Sequence, residues 1–157
     1  MDFTSKEKLE KAEQLDKLKS KVLKYVLYKK RTESEVREKF ADTDENLLED
    51  VVEFLKEYNY INDEEYIERS IAEYKALKNI SIKEMNYKLL QKGVNKNLLE
   101  NYISAHYDEL IDFEIKSAKN IFIKKSKNME MQDIKDFLYK KGYKQESINS
   151  ALEDFEN

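Results

Sequence analysis

The sequence predicts an all-α protein of three tandem three-helix repeats that form an elongated, curved helical array. The chain has no proline and only two glycines among 157 residues, which is too few turn formers for a fold of strands and turns. Apolar residues, 40% of the chain, are interspersed with 39% charged residues at helical spacing. Several sequence features also recur after 49 residues, and such a period is typical of stacked helical units.

The first repeat is predicted over residues 18–60, behind a helical extension over residues 1–17. Apolar residues at helical spacing mark its long opening helix: Leu15, Leu18, Val22, Tyr25 and Val26. Thr32 and Glu35 then predict a capping box, in which each side chain accepts a hydrogen bond from the backbone amide of the other residue. The left-handed position that closes the short helix falls on Asp44, a permitted residue there.

The second repeat is predicted over residues 61–106. Asn62 is the expected N-cap of its long helix, with Glu65 at the third helical position. A second capping box, from Ser81 to Glu84, lies 49 residues after the first. Gly93 is expected to end the short helix in the left-handed conformation, which glycine adopts without steric cost.

The third repeat is predicted over residues 107–157. Its long helix carries an apolar stripe at steps of four, three and four residues: Ile111, Ile115, Ala118 and Phe122. The capping box is incomplete, because Glu130 stands where the first two repeats have a hydroxyl residue. Gly142 follows Gly93 by 49 residues and is expected to close the short helix in the same way.

The composition argues against an enzyme, a cofactor and a metal site. The chain has no cysteine, so it can form no disulfide, thiolate nucleophile or cysteine zinc site. Its one histidine, His106, has no partner motif and is expected to be a partly exposed helical residue. Two isolated glycines cannot form a phosphate-binding loop. The carboxylates fall mostly in first helical turns, where they complement the helix dipole.

The sequence shows no signal for a membrane, and the lack of cysteine suits the cytoplasm; a monomer is the default expectation, since the sequence leaves the oligomeric state open. No apolar run is long enough to span a bilayer, and the charged N-terminal stretch lacks the apolar region of a signal peptide. The net charge of −4 gives no general attraction to nucleic acid.

Two stretches free of acidic residues are the candidate partner-binding sites. One lies between Asp16 and Glu33, and the other between Glu114 and Glu130. Cations complement helix C-termini, but this explains only two or three residues in each stretch. The alternative is a pair of basic ridges that face an acidic partner or a nucleic-acid backbone. The candidate residues are Lys21, Lys24, Lys29, Lys30 and Arg31 in the first stretch, and Lys116, Lys119, Lys124, Lys125 and Lys127 in the second.

Three aromatic residues close to these stretches are candidates for stacking on bases. They are Tyr25, Tyr28 and Phe122. The helical spacing of Tyr25 and Phe122 favours core positions for both. Tyr28 is the least constrained of the three.

The order of motifs resembles the RecX family of regulators of the RecA recombinase. The resemblance rests on the run from Tyr60 to Tyr66, the short helix from Ser81 to Leu89, and Lys92-Gly93-Val94. It covers about residues 20–155. No single motif is highly specific, but their order, spacing and three-fold repetition together are fairly specific.

The resemblance implies a fold, a partner and a function. Members of the family are three-repeat helical arrays that lie in the groove of the RecA–DNA filament and bridge neighbouring protomers. They inhibit the ATPase and strand exchange of RecA and limit filament assembly, in recombinational repair and the SOS response. The resemblance thus implies a regulator, with inhibition the expected direction, whose partner is the RecA filament and whose contact with DNA is weak or indirect.

Two other functions remain open from the residues alone. A direct DNA-binding protein would need no protein partner and would bind bare DNA with a steep salt dependence. A generic helical scaffold for an unrelated partner would have the same fold, because fold alone does not determine function.

Overall fold

The computed structural model describes residues 4–157, and all regular structure within that range is helical. The prediction of an all-α protein is confirmed. The helices are α1 Ser5–Tyr28, α2 Glu33–Lys39, α3 Glu45–Glu57, α4 Asp63–Leu77, α5 Ile82–Gln91, α6 Lys96–Ala105, α7 Tyr107–Lys125, α8 Met131–Lys140 and α9 Gln145–Glu156.

The described residues form two compact units. The first unit runs to Tyr66 and includes Lys92–Val94, and the second comprises Ile67–Gln91 and Asn95–Asn157. The division into three repeats, and the elongated, curved array that they would form, stay predictions.

In the first unit, α1, α2 and α3 enclose one apolar core. Helix α1 begins with a capping box in which Thr4 and Glu7 exchange hydrogen bonds, and it continues as one helix to Tyr28. The predicted extension over residues 1–17 is part of this helix from Ser5 onward, and residues 1–3 lie outside the described residues. The buried core consists of Leu18, Val22, Val26, Val36, Leu48, Val51, Val52, Leu55 and Ile61.

The predicted start of α2 is confirmed, but the predicted left-handed residue after it is wrong. The amide of Glu35 donates to Thr32 Oγ1 over 3.1 Å, and the amide of Thr32 donates to Glu35 Oε1 over 3.0 Å. Asp44 has a φ of −57° and is the N-cap of α3, where its carboxylate accepts hydrogen bonds from the amides of Asn46 and Leu47. The Asp44 carboxylate therefore stabilises the start of α3, where backbone amides lack partners, more than it could stabilise the end of α2.

Asn59 is the left-handed residue of this region, with a φ of 59°. It follows α3, and its side-chain amide donates to Glu65. Asn62 caps the next helix as predicted, since it accepts from the amide of Glu65 over 3.0 Å. Asparagine tolerates the left-handed region better than most residues.

In the second unit, α7 packs against α8 and α9 around a buried core. The members of this core are Ala118, Phe122, Ile134, Leu138, Tyr143, Ile148 and Ala151. The predicted stripe of α7 is confirmed at Ala118 and Phe122, and half-buried Ile115 also packs against this core. In the first half of α7, Leu110 and Glu114 are buried, whereas Ile111 and Ile115 are half-buried.

Glu114 is fully buried and joins the starts of two helices. Its Oε1 accepts from the amide of Ile82 at the start of α5, over 2.9 Å. Its Oε2 accepts from the hydroxyl of Ser147 in α9 over 2.6 Å, and from the amide of Lys144 over 3.3 Å. Helix N-termini carry unpaired amides and partial positive charge, which explains why a carboxylate replaces an apolar residue in the stripe.

Both glycines adopt the predicted left-handed conformation, with a φ of +80° at Gly93 and +93° at Gly142. Each lies against the first turn of an earlier short helix. A Cβ atom on Gly93 would come within 2.6 Å of Ser34, and one on Gly142 within 3.0 Å of Lys83. Glycine is therefore required twice over, for its backbone conformation and for the close approach of the chain.

Candidate partner-binding surfaces

The first basic surface comprises Lys21, Lys24, Lys29, Lys30 and Arg31, and it surrounds the C-terminal end of α1. Lys21 and Lys24 are exposed and three residues apart on the helix, so they are neighbours on its surface. Lys29 and Lys30 follow the last helical residue and are also exposed. All five predicted residues thus lie in about the last two turns of α1 or directly after its end.

Arg31 differs from the four lysines because it is fixed in place. Its guanidinium carbon lies 3.9 Å from the centre of the Tyr25 ring, and its Nε donates to the Tyr25 carbonyl over 3.3 Å. Tyr25 in turn packs edge-on against Phe40, with the ring centres 5.7 Å apart. Lys39 of α2 also lies over Tyr25, at 5.9 Å. Sequence reasoning missed Lys39 because it belongs to a different helix.

The three candidate aromatic residues have different surroundings. Phe122 is fully buried and stacks against Phe155, with ring centres 6.0 Å apart. Tyr25 is held between Phe40 and Arg31. Tyr28 is 85% exposed, and the adjacent Leu27 is 68% exposed. Of the three, only Tyr28 therefore offers an open ring to a partner.

The second basic surface comprises Lys116, Lys119, Lys124, Lys125 and Lys127, and it follows the outer side of α7 and the turn after it. Lys116, Lys124 and Lys127 are exposed, whereas Lys119 and Lys125 are half-buried. Lys125 Nζ lies 4.3 Å from the centre of the Phe137 ring in α8. The five predicted cations therefore do not form one open surface, since Lys125 packs against a neighbouring helix.

A second cation converges on the same ring. Lys141 Nζ lies 5.7 Å from the centre of Phe137. Sequence reasoning missed Lys141 because it lies outside the acid-free stretch between Glu114 and Glu130. At each basic surface, one member and a cation outside the surface thus approach the same aromatic ring, Tyr25 at the first and Phe137 at the second.

An ion network on α2 and α3 includes none of the five residues of the first basic surface. Arg37 pairs with Glu33 over 3.0 Å and with Glu49 over 2.9 Å, and Lys56 pairs with Glu33 over 2.7 Å. Burial works against ionisation of Glu33, but hydrogen bonds from Lys56 and Arg37 outweigh it and lower the pKa of its carboxyl. The hydrogen bond to Glu49 raises the pKa of Arg37. These charges neutralise one another.

The described residues show no constellation of a metal centre. No three histidine or acidic side chains among them are arranged to hold a metal ion. His106 is half-buried between α6 and α7, and its Nδ1 lies 2.9 Å from the Tyr102 carbonyl. Within residues 4–157, no helix combines the length and apolar character that crossing a membrane requires.

The chain is similar to curated proteins called "Regulatory protein RecX". The protein from Staphylococcus carnosus is 32% identical over 148 residues, which cover 85% of this chain and 53% of that protein. The protein from Clostridium perfringens strain 13 is 28% identical over all of this chain and 77% of its own length. The chain thus spans about half the length of the first relative and three quarters of the second. No family model matches the chain.

Two solved structures share its fold. The crystal structure of RecX from Lactobacillus salivarius superimposes with a TM-score of 0.78 at 22% identity, over 92% of this chain and 98% of that one. A crystal structure of a regulatory protein RecX superimposes with a TM-score of 0.82 at 20% identity, over 98% of this chain and 80% of that one. The all-helical fold is therefore one that these regulatory proteins also have.

Proposed function

The chain belongs to the RecX family of regulatory proteins, and from this we propose that it regulates the RecA recombinase by inhibiting its filament on DNA. The observation that carries the proposal is the similarity to named regulatory proteins along 85% or more of the chain. In this proposal the protein acts in the cytoplasm as a monomer, without a cofactor or a catalytic activity of its own.

We place the contact in the groove of the RecA–DNA filament and assign part of it to the two basic surfaces. Seven of their ten cations are exposed. A filament repeats the same surface on each protomer, so a protein that spans several protomers can contact it at several points. Several weak contacts that bind together raise the total affinity without any strong single contact. This supports a regulator that limits ATP hydrolysis, strand exchange and filament assembly in recombinational repair and the SOS response.

Charge reversal tests the assignment of the basic surfaces. The variants are Lys21→Glu with Lys24→Glu on the first surface, and Lys116→Glu with Lys124→Glu on the second. A matched control, Lys6→Glu with Lys8→Glu, reverses two exposed charges near the start of α1. Rim charges act mainly on the association rate, so each test variant should bind filaments more slowly and with a weaker salt dependence than the control.

The assignment would be wrong if both test variants bound with the rate and salt dependence of the control. The function itself is tested separately, by DNA strand exchange with the RecA protein of the same organism. Added protein should slow the exchange of homologous strands. Exchange at the full rate, with folded protein in excess over RecA, would contradict the proposed function.

A further inference from the structure

The end of α1 exposes two large apolar side chains among cations. Tyr28 has the largest exposed fraction of any large hydrophobic residue that the structure describes, and Leu27 is 68% exposed. We call this surface the α1 tip, and it consists of Lys24, Leu27, Tyr28, Lys29, Lys30 and Arg31. Water contact is unfavourable for apolar groups, so an exposed apolar pair within a charged rim is typical of an interaction site.

The helix geometry brings these residues into one patch. Lys24, Leu27 and Tyr28 are three and four residues apart, which makes them neighbours on the helix surface. They lie away from the side of α1 that buries Leu18 and Val22 in the core of the first unit. The patch is therefore presented outward by a helix whose opposite side is held firmly.

Arg31 provides a fixed cation at the edge of this patch. The Tyr25 ring and carbonyl hold its guanidinium plane and its Nε, so the two terminal nitrogens remain to bind a partner. Among the described residues, no carboxylate forms an ion pair with Arg31. A guanidinium that is already oriented loses little entropy when it binds a carboxylate with two hydrogen bonds.

We infer that the α1 tip docks onto a protein surface in which carboxylates surround an apolar contact. Tyrosine and arginine, with tryptophan, are the residue types enriched among interface hot spots. The stretch from Lys17 to Thr32 has no acidic residue, so the patch is complementary to an acidic surface. Leu27 would have no role against a phosphate backbone. The inference rests on the proposed function, since it makes the RecA protein in the filament, and not its DNA, the partner of the α1 tip.

The test compares the protein and its variants in binding to two probes. The probes are RecA filaments, assembled on a single strand with a non-hydrolysable ATP analogue, and the same single strand without RecA. The variants are Tyr28→Ala, Leu27→Ala and Arg31→Lys. Matched controls are Tyr139→Ala, at a tyrosine that is 66% exposed, and Leu9→Ala, at a leucine that is 61% exposed. All these side chains except Arg31 are largely solvent-exposed, so the alanine variants should fold normally.

We expect Tyr28→Ala to raise the Kd for filaments about tenfold, as at an interface hot spot, and both controls to change it less than about twofold. Arg31→Lys should raise the Kd about fivefold, because lysine keeps the charge but loses the planar contact with Tyr25. Wild-type affinity in Tyr28→Ala and Leu27→Ala would overturn the docking site and leave the proposed function standing. If these variants lost affinity for bare DNA as much as for filaments, the partner of the α1 tip would be nucleic acid and not a protein. Wild-type protein that does not bind filaments at all would overturn the proposed function and, with it, this site.

Discussion

The hydroxyl of Thr32 donates a 2.7 Å hydrogen bond to the carbonyl of Lys92, 60 residues further along the chain. Ser81 makes the same bond, also of 2.7 Å, to the carbonyl of Lys141. Both pairs span 60 residues and are offset from each other by 49. In each case the oxygen that donates this bond also accepts one from an amide in the first turn of its own helix. One hydroxyl thus caps a short helix and fastens the turn of a later glycine to it.

Replacing Thr32 by valine should cost more stability than the loss of an ordinary cap. Valine has the shape of threonine, but it leaves a first-turn amide and the Lys92 carbonyl without a partner. Loss of a cap costs about 1 kcal/mol, and a partly buried carbonyl that loses its donor adds about 1–3 kcal/mol. Urea denaturation should therefore show a loss of about 2–4 kcal/mol. The control is Thr4→Val, since Thr4 has the same capping box in an exposed position. Equal losses in both variants would contradict the fastening role.

Gly93→Ala should destabilise the protein more than Gly142→Ala. Both variants force alanine into a left-handed backbone, at about 1–3 kcal/mol each. At Gly93 the new methyl group would also lie 2.6 Å from the Cβ and Oγ of Ser34, and such overpacking adds about 1–3 kcal/mol.

A second substitution separates the clash from the strained backbone. Adding Ser34→Gly removes the two atoms that would lie 2.6 Å from the new methyl group. Gly93→Ala should therefore cost less stability in the Ser34→Gly background than in the wild type. Thermal unfolding of the four proteins measures this coupling. Strictly additive losses would show that the close approach of Gly93 to Ser34 has no energetic effect.

The sequence predicts the capping box at Thr32 and the left-handed glycines because these features depend on neighbours a few residues apart. A hydroxyl residue with glutamate three positions later predicts a helix start, and a glycine after an apolar stripe predicts a left-handed helix end. The 49-residue step also places Thr32 and Ser81 at equivalent positions. The 49-residue period wrongly predicts a left-handed residue at Asp44, because an aspartate that can cap the following helix is more stable there than in a left-handed turn.

Glu114 should be one of the most sensitive positions of the second unit. Leucine in its place would leave the amide of Ile82 and the hydroxyl of Ser147 without an acceptor, which costs about 1–3 kcal/mol for each group. Glu114→Gln should cost less, about 1–3 kcal/mol, because one of the two acceptor oxygens becomes a donor. Glu109→Gln, at an exposed position of the same helix, is the control and should stay within about 0.5 kcal/mol of wild type. Indistinguishable urea midpoints for Glu114→Gln and Glu109→Gln would be incompatible with the buried contacts.

Tyr143 should make the protein sensitive to alkaline pH. Burial raises the pKa of Tyr143 to about 12, the charges of Glu114 and Glu84 act in the same direction, and the hydrogen bond with Ser117 opposes them. In the unfolded chain the phenol ionises near its usual pKa of about 10. Between these values the unfolded state has released the proton and the folded state has not, so stability falls as the pH rises.

The variant Tyr143→Phe isolates this effect. Between pH 9 and pH 11 the wild type should lose about 1 kcal/mol of unfolding free energy more than Tyr143→Phe does. Tyr139→Phe, at an exposed tyrosine, should keep the pH dependence of the wild type. If wild type and Tyr143→Phe lost stability in parallel over this range, the buried neutral phenol would not be the cause.

The candidate surfaces are only partly readable from the sequence. The absence of acidic residues around Lys24 and Lys116 is visible directly and identifies both basic stretches. The fixed position of Arg31 is not visible, because it depends on how the chain turns back over Tyr25 after α1. The burial of Glu114 is likewise hidden, since its donors lie more than 30 residues away on either side. Contacts between distant segments therefore decide which charges are available to a partner.

The most direct measurement is the single-stranded-DNA-dependent ATPase of RecA from the same organism, with this protein titrated in. The proposed function predicts strong inhibition at less than one molecule per RecA, since a bound regulator acts on a filament of many protomers. It also predicts a weaker effect for the charge-reversal variants of the basic surfaces than for the Lys6→Glu and Lys8→Glu control. Full ATPase activity in the presence of excess folded protein would contradict regulation of RecA and reduce the similarity to RecX to a shared fold.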